Sequence, residues 1–453
     1  LSEVIMAAIH SAAGLTGVVV FFSFIISLVY FLMFKIIRAY NGNILNILTT
    51  SFIALLVLTT SQIHWLARPH VFSLLLMVVW YYLLDKYQYQ HKNYLYLLPP
   101  MMLLWVNLHG GFLTGFILIG IYLFGNVVAV ITSEDSKRDL YRRKAGKIGL
   151  LTAVCLLVCL INPYTYHILL FPFNLASNKF LMDHVSEFTS PNFHNVSVHY
   201  FEFFILLTLG LLALSRTRLS IIELTMILLF THMSLYAARY IPLFAIIAAP
   251  VLVRHVEPML EKSNGKFISF LRKRSSNISA IDASAKGYLW PIVAVVLVAV
   301  LAVKGKIEHN FDEKTKPVAA VEFLEKETLP GNMFDNDEFG DYIIYAAWPK
   351  YKVFFDGRSD MYGTGIMKEY FKVRNFKQGW EKIIKKYDIN WIIYNADSAF
   401  SRFLIEHGDW ELIYADKVAN IFLKDIPENK RLIDKYSNVE PAIEEDTEDH
   451  TES

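Results

Sequence analysis

The sequence predicts a polytopic α-helical membrane bundle of about ten spans, followed by a small extracytoplasmic α/β domain. Three observations favour this fold class. The 453 residues are 54% hydrophobic and only 19% charged, whereas soluble domains are about 25% charged. Apolar stretches fill the chain before residue 304, and strand-like and helix-like patterns alternate after it. This composition excludes a disordered or collagen-like protein and an ordinary cytosolic enzyme.

The charge balance, the cysteines and the motif content exclude further classes. A formal net charge of +1 excludes a generally basic nucleic-acid binder. Cys155 and Cys159 lie four residues apart in an apolar run, where we expect small core residues on one helix face rather than a metal or redox site. The chain has no Walker A, HExxH or CxxC motif, so nucleotide-driven pumping and zinc proteolysis have no support.

Ten apolar stretches are predicted to be membrane spans, although several are shorter than the ~20 residues that cross hydrocarbon. Every odd-numbered stretch is followed by a loop that contains Lys or Arg. Positive loops remain in the cytoplasm, so the other loops and everything after residue 304 are predicted to lie outside the cytoplasmic (inner) membrane. The stretches are 12–34, 44–62, 70–84, 94–106, 111–132, 146–161, 199–214, 219–231, 240–253 and 288–303.

Three domains are predicted from these patterns. The multispan domain covers 1–303, the extracytoplasmic α/β domain covers 304–426, and an acidic disordered tail covers 427–453. Within the α/β domain, alternating patterns favour helices and strands in one sheet. The predicted helices are 318–327 and 366–386, and the predicted strands are 352–356, 391–394, 411–414 and 418–423.

Two arginines at the outer membrane boundary are candidate phosphate ligands. Arg68 precedes Pro69, which breaks the helix at the lip of the membrane, and Arg239 opens the ninth predicted span. A guanidinium matches phosphate in a bidentate geometry, so this pair, together with His70, is predicted to bind a pyrophosphate or phosphate on a lipid. The alternative for each arginine is a boundary anchor that snorkels to the interface.

Other polar residues of the outward loops are candidates because polar groups at a membrane boundary are costly. Asn107, His109 and Tyr164 are predicted to line an outer cavity, and the alternative is a satisfied turn with a capping Asn. Glu187 lies in a Lys-poor loop, 162–198, and is predicted to be a general base or a metal ligand. The alternative for Glu187 is a solvated loop carboxylate.

Acids beside glycines in the α/β domain are predicted to form a cleft. Such acids at strand ends often lie in clefts and bind a hydroxylated acceptor or a cation. The alternative is an internally paired Asp–Arg corner that holds the domain together. The sequence demands no cofactor and no metal ligand set, and it leaves a divalent cation open. The cleft residues are Asp337, Asp356, Arg358, Asp360 and Tyr362.

Six motifs, taken in order over about residues 1–425, resemble a family of bacterial multispan proteins that is grouped with the GT-C glycosyltransferases. The motifs are Arg68-Pro69-His70-Val-Phe-Ser, Leu-Trp105-Val-Asn107-Leu-His109-Gly-Gly, Asn162-Pro163-Tyr164, Glu187-Phe-Thr-Ser-Pro191, Arg239-Tyr-Ile-Pro242-Leu-Phe and Val-Phe-Phe-Asp356-Gly357-Arg358-Ser-Asp360-Met-Tyr362-Gly363.

The resemblance implies a polyprenyl-phosphate-sugar donor, an acceptor on the outer face, and an acid of the first outer loop as the base. Leu1-Ser2-Glu3-Val4 resembles the end of that loop, so the first span and most of the loop are expected to be absent from this chain. Glu3 is the acid that is left from that region. A weaker likeness joins 337–343 to the WWDYG segment by which oligosaccharyltransferases hold an acceptor sequon; the tryptophans are missing here.

Two functions follow as hypotheses. The first is a membrane glycosyltransferase whose partners are a lipid-linked sugar donor, membrane lipids and a glycan, lipid or protein acceptor. The second is a non-catalytic lipid-binding or envelope-assembly protein with the same fold. A secondary transporter is less favoured, because transporters place polar groups near the membrane midplane, whereas the polar groups here cluster at one face.

Overall fold

The computed structural model describes residues 1–39, 46–261, 265–284 and 288–442. The chain divides into two compact units, the first ending at His309 and the second beginning at Asn310. The first unit is helical, and the second contains a four-stranded sheet with helices. The predicted domain boundary at residue 304 thus lies close to the division between the units.

Helices α1 to α13 build the first unit. Helix α1 contains a break at Ala13 and Gly14, where the backbone leaves the helical conformation. The helices are α1 Ser2–Ala39, α2 Asn46–Ser61, α3 His70–Gln90, α4 Leu98–Leu108, α5 Leu113–Thr132, α6 Asp135–Val158, α7 His167–Ser177, α8 Lys179–His184, α9 Val196–Leu214, α10 Ile221–Tyr236, α11 Ile241–Glu261, α12 Lys266–Ser284 and α13 Leu289–Val303.

Among the described residues, five helices of this unit are long and apolar enough to cross a membrane. By length and composition the unit is therefore a multi-pass membrane domain. Four shorter apolar helices accompany them, so ten remains a predicted count, and residues 44 and 45 of the second predicted span lie outside the described residues. The five helices are Ser2–Arg38, Ile47–His64, Gly110–Thr132, Val196–Leu214 and Ala238–Leu260, and the shorter ones are Leu95–Leu108, His167–Ser177, Ile221–Tyr236 and Pro291–Val303.

Helix α11 lies at the centre of the bundle and packs against α2, α9 and α10. Its side chains from Phe244 to Ala249 are buried all round. Small residues such as Ala248 and Ala249 let neighbouring helices approach closely, which is how helices associate where no water drives them together. Cys155 and Cys159 are free and buried, which confirms that they are core residues.

The sheet of the second unit has the strand order β1-β2-β4-β3. Strand β1 is parallel to β2, and β4 is antiparallel to both β2 and β3. Strand β2 is buried on both faces, as its continuous apolar run predicts. The strands are β1 Asn332–Asp335, β2 Ile389–Asn395, β3 Trp410–Ala415 and β4 Ala419–Lys424, and the helices are α14 Val318–Lys326, α15 Asp337–Ala347, α16 Ser359–Arg374, α17 Trp380–Lys386, α18 Ala399–Glu406 and α19 Lys430–Lys435.

The predictions at 318–327, 391–394, 411–414 and 418–423 are confirmed as α14, β2, β3 and β4. The predicted strand at 352–356 is wrong. The amides of Phe354 and Phe355 donate to the Asp335 carboxylate, at 2.6 and 3.3 Å, instead of to a neighbouring strand. The predicted helix at 366–386 is two helices, α16 and α17. They are separated where Gly379 adopts a left-handed conformation with φ of +83°.

The predicted start of the tail at residue 427 also needs correction. A single 3₁₀ turn, Pro427–Asn429, leads into helix α19. Leu432 and Ile433 on this helix are buried in the core of the second unit, because two adjacent apolar side chains give the helix a face to bury. Residues 443–453 of the predicted disordered tail lie outside the described residues.

Candidate functional site

Polar side chains from four segments gather at one end of the helical unit. The segments are the turn before α3, the turn before α5, the single 3₁₀ turn Ser186–Phe188 and the single 3₁₀ turn Ala238–Tyr240. The imidazole of His64 lies in electrostatic reach of the arginines and of the other two histidines. All four segments belong to loops that the sequence predicts to face outward. We call His64, Arg68, His70, His109, Glu187 and Arg239 the loop cluster.

The turn between α2 and α3 presents the first arginine. The 3₁₀ turn Gln62–His64 ends α2, and Pro69 precedes the first residue of α3. Proline is favoured here because its fixed φ suits the helix start and its missing N–H needs no partner. Inside the turn, His70 Nε2 lies 2.9 Å from the carbonyl oxygen of His64. The turn is thereby closed, and the side chain of Arg68 remains exposed.

The turns at 186–190 and 238–240 present the second arginine. The Ala238 amide donates to the Thr189 carbonyl oxygen at 3.0 Å, which joins the two turns. The guanidinium of Arg239 lies 4.7 Å from the centre of the Phe188 ring and 6.0 Å from that of Tyr240. Within the described ranges its contacts are with these aromatic faces and not with a carboxylate. The rings orient the cation without neutralising its charge.

Glu187 and His64 form a loose pair beside the arginines. Glu187 Oε2 lies 3.9 Å from His64 Nε2, and the side chains are 34% and 14% exposed. The rings of His64 and His70 are 4.5 Å apart. A half-buried carboxylate next to an imidazole is an arrangement that accepts a proton. The structure therefore adds His64 to the candidate residues, because sequence reasoning gave it no role. The available signal was its position on the other side of the Arg68–Pro69 turn from His70.

The Nδ1 side of His109 has a structural role. Nδ1 accepts from the Gly111 amide at 3.0 Å and lies 2.8 Å from Ser73 Oγ, which also accepts from Trp105 Nε1 at 2.8 Å. Burial, together with the charges of His70 and Arg239, lowers the pKa of His109 to about 4. The ring is therefore neutral at pH 7 and carries its proton on Nε2.

The side chain of Asn107 is bonded to two backbone carbonyl groups. Its side-chain amide donates to the carbonyl oxygens of Leu103 at 2.9 Å and Ile161 at 3.0 Å, so it ties α4 to the segment after α6. Tyr164 is 68% exposed, and Glu3 is exposed in the first turn of α1. Among the described contacts, none joins Tyr164 or Glu3 to the loop cluster. Their site roles stay predictions.

In the second unit, some residues of the predicted cleft form an internally paired corner. Asp356 is fully buried. Its carboxylate accepts from Arg358 Nε at 2.9 Å, Arg358 Nη2 at 2.6 Å, the Arg358 amide at 2.8 Å and the Tyr362 hydroxyl at 2.6 Å. Burial alone would raise the pKa of Asp356, but these hydrogen bonds hold it below its usual value. Three of the five predicted cleft residues are thus committed to one another.

The remaining cleft residues differ from each other. Asp337 accepts from the Tyr370 hydroxyl at 2.9 Å and lies 3.7 Å from an Arg374 nitrogen. Asp360 is exposed in the first turn of α16. Across the four described ranges, no group of three or more His, Cys, Asp or Glu side chains is arranged to hold a metal ion. The residues that the structure describes give no donor set for the divalent cation left open by the sequence.

No family model and no curated protein sequence matches the chain. Among solved structures, the chain is similar to the archaeal oligosaccharyltransferase AglB from Archaeoglobus fulgidus, in complex with an inhibitory peptide and a dolichol-phosphate. The similarity has a TM-score of 0.45 and 11% sequence identity, and it covers 92% of this chain and 64% of that chain. The chain thus spans less than two thirds of the length of the solved structure that it matches.

Proposed function

We propose that the chain is a membrane glycosyltransferase that moves a sugar from a polyprenyl-phosphate donor to an acceptor on the outer face of the cytoplasmic membrane. The observation that carries the proposal is the loop cluster, which gathers two arginines and a carboxylate–imidazole pair at one end of a multi-pass helical unit. A lipid phosphate at a membrane boundary needs fixed cations, and an acceptor hydroxyl needs a base.

The charge of the loop cluster supports phosphate binding. Two arginines and one glutamate leave a single positive charge in excess when the histidines are neutral. Arg239 is oriented by aromatic faces, and Arg68 is exposed on the neighbouring turn. Guanidinium groups bind phosphate through paired, charge-assisted hydrogen bonds. His70 acts mainly on the turn itself, since its Nε2 is already bonded to the His64 carbonyl.

In the proposed reaction, the acceptor oxygen attacks C1 of the sugar, and the bond from C1 to the phosphate oxygen breaks. The electron pair of that bond leaves with the polyprenyl phosphate, and the acceptor proton passes to Glu187. His64 positions the Glu187 carboxylate, whose oxygen lies 3.9 Å away. The arginines stabilise the negative charge that grows on the departing phosphate, which is the kind of interaction that lowers a barrier most.

The test is turnover of the lipid-linked sugar in membranes that contain the full chain. Arg239→Ala is expected to reduce turnover by about 10²–10³-fold, the usual effect of removing one charge-stabilising group. Arg239→Lys keeps the charge but not the paired geometry, so it should recover part of the activity. Arg218→Ala is the matched control, because Arg218 lies in the loop between α9 and α10, away from the loop cluster. Turnover unchanged in Arg239→Ala would remove that residue from the site.

A non-catalytic lipid-binding or envelope-assembly role is the second candidate. It is favoured by the paired corner of Asp356, Arg358 and Tyr362, which leaves these predicted acceptor residues bonded to one another. Glu187→Gln separates the candidates. A transferase with this substitution keeps its lipid-linked sugar but stops transferring it, whereas a binding protein shows no transfer with either residue at position 187.

A further inference from the structure

A cavity of about 390 Å³ opens at the opposite end of the helical unit from the loop cluster. The loop after α9 forms one wall, and the last part of α11 forms the other. Sixteen residues of chain separate Arg239 from His255 on α11, a rise of roughly 24 Å along a helix. The basic loops predict that this end faces the cytoplasm. Ser215, Arg216, Thr217 and His255 provide the polar lining, and Leu214, Pro258 and Met259 provide the apolar lining.

The polar wall is held in place by His255. Its side chain is 5% exposed, and its Nε2 lies 3.6 Å from Glu223 Oε2. On the other side of the ring, Nδ1 lies 2.6 Å from Thr217 Oγ1 and 3.2 Å from Ser215 Oγ. The Thr217 amide also donates to Ser215 Oγ at 3.2 Å. A buried group therefore fixes two hydroxyls at the edge of the cavity before any ligand arrives.

Two carboxylates behind this wall, Glu223 and Asp85, both bond to Arg254. Glu223 accepts from Arg254 at 3.2 Å, and from the amide and hydroxyl of Ser220 at 2.9 Å each. Arg254 also bonds to the buried Asp85 at 2.7 Å. These carboxylates point into the bundle. Arg216, which is exposed, gives the cavity wall a positive charge. An anion in the cavity meets a cation and two hydroxyls.

We propose that this cavity binds a phosphate ester, supplied by the headgroup of an anionic membrane phospholipid. Arg216 contacts the phosphate, the Ser215 hydroxyl donates to a phosphate oxygen from the position that Thr217 and His255 hold, and the apolar wall accepts the start of the acyl chains. Phosphate in a basic pocket between helices at the cytoplasmic surface is the chemistry that anionic lipids offer. The site is separate from the loop cluster and does not depend on the proposed transferase activity.

The test measures lipid retained by the full chain in detergent, by native mass spectrometry, with phosphatidylglycerol as the probe and phosphatidylcholine as the neutral comparison. Arg216→Ala is expected to weaken phosphatidylglycerol binding about tenfold, as the loss of a charge-assisted hydrogen bond does. Arg218→Ala removes the same charge two residues further along the same loop but does not line the cavity, so binding should be unchanged. Thr217→Val should weaken binding less, and it carries the test if Arg216→Ala fails to fold.

Titration with inorganic phosphate identifies the source of the phosphate. Phosphatidylglycerol that inorganic phosphate does not displace, with the expected dependence on Arg216, supports a lipid headgroup site. Displacement by inorganic phosphate, with the same dependence, supports the phosphate site but assigns it to a soluble phosphate ester. Equal losses in Arg216→Ala and Arg218→Ala, equal binding of phosphatidylcholine, or unchanged binding in both Arg216→Ala and Thr217→Val would overturn the proposal.

Discussion

Removing Asp356 and removing Arg358 should lower the stability of the second unit by different amounts. Asp356 is fully buried, whereas the side chain of Arg358 is 54% exposed. Removing the acid returns an exposed guanidinium to water, so Asp356→Ala costs the hydrogen bonds to Tyr362 and to the Arg358 amide, and little for the ion pair. At about 1–1.5 kcal/mol for each of these two lost bonds, the expected cost is about 2–3 kcal/mol. Removing Arg358 instead leaves the buried Asp356 carboxylate without its cation, so Arg358→Ala should cost about 3–5 kcal/mol.

The two variants should also respond differently to pH. In the native protein the pKa of Asp356 lies below its usual value, so its contribution is present above the unfolded pKa and is lost as the pH falls through the folded pKa. In Arg358→Ala the stranded carboxylate should have a raised pKa, which reverses the sign, so that stability is lost as the pH rises. The difference in free energy of unfolding between Arg358→Ala and the native protein should therefore shrink as the pH falls to about 4.

Hydrogen exchange of the full chain, read by mass spectrometry over the amides of 352–370, measures this local free energy of unfolding. Asp360→Ala is the matched control, because Asp360 is exposed on the same segment and its loss should change stability by less than about 0.5 kcal/mol. The reasoning is refuted if Asp356→Ala and Arg358→Ala are indistinguishable from Asp360→Ala, or if Arg358→Ala costs less than Asp356→Ala at pH 7.

Two further predictions concern the helical unit. A side chain at Gly111 would collide with Ser73 and break the bonds that hold His109, so Gly111→Ala should cost about 2–3 kcal/mol, whereas Gly110→Ala meets open space and should be tolerated. Thermal unfolding in detergent compares the two, and equal stability would contradict the role of the close approach. Arg254→Met leaves two buried carboxylates without their cation and should cost about 3–5 kcal/mol. The amount of folded protein in membranes measures this effect, and a normal amount would show that the network is dispensable.

Elements whose pattern is set by their own residues could be predicted from the sequence. Strand β2 contains the unbroken apolar run 391–394, and helix α14 has one apolar face, so both could be located before the structure was known. The segment 352–356 has the residue pattern of a strand, but its Phe354 amide donates to the Asp335 carboxylate, 19 residues earlier in the chain. The residue pattern of a short segment does not reveal that a distant carboxylate will bond to its amides in place of a neighbouring strand.

In the candidate site, too, local features could be predicted from the sequence and contacts between distant segments could not. The sequence placed Arg68 and Arg239 at the same boundary of the membrane, and both belong to the loop cluster, although phosphate binding stays a prediction. The pairing of His64 with Glu187 was not predictable, because it depends on how two single-turn segments pack. The Asp356–Arg358 pair was foreseen as an alternative, since two residues of separation allow an acid and an arginine to bond within one turn.

The most direct measurement of the central claim is a mass-spectrometric comparison of polyprenyl-linked sugars and envelope glycans in cells that carry the native chain, Glu187→Gln or Arg218→Ala. If the chain is a transferase, Glu187→Gln cells accumulate one lipid-linked sugar and lose one sugar from a surface glycan, while Arg218→Ala cells match the native strain. Unchanged pools in Glu187→Gln cells, with the protein present at its normal amount in the membrane, would contradict the assignment of Glu187 as the base of a glycosyl transfer.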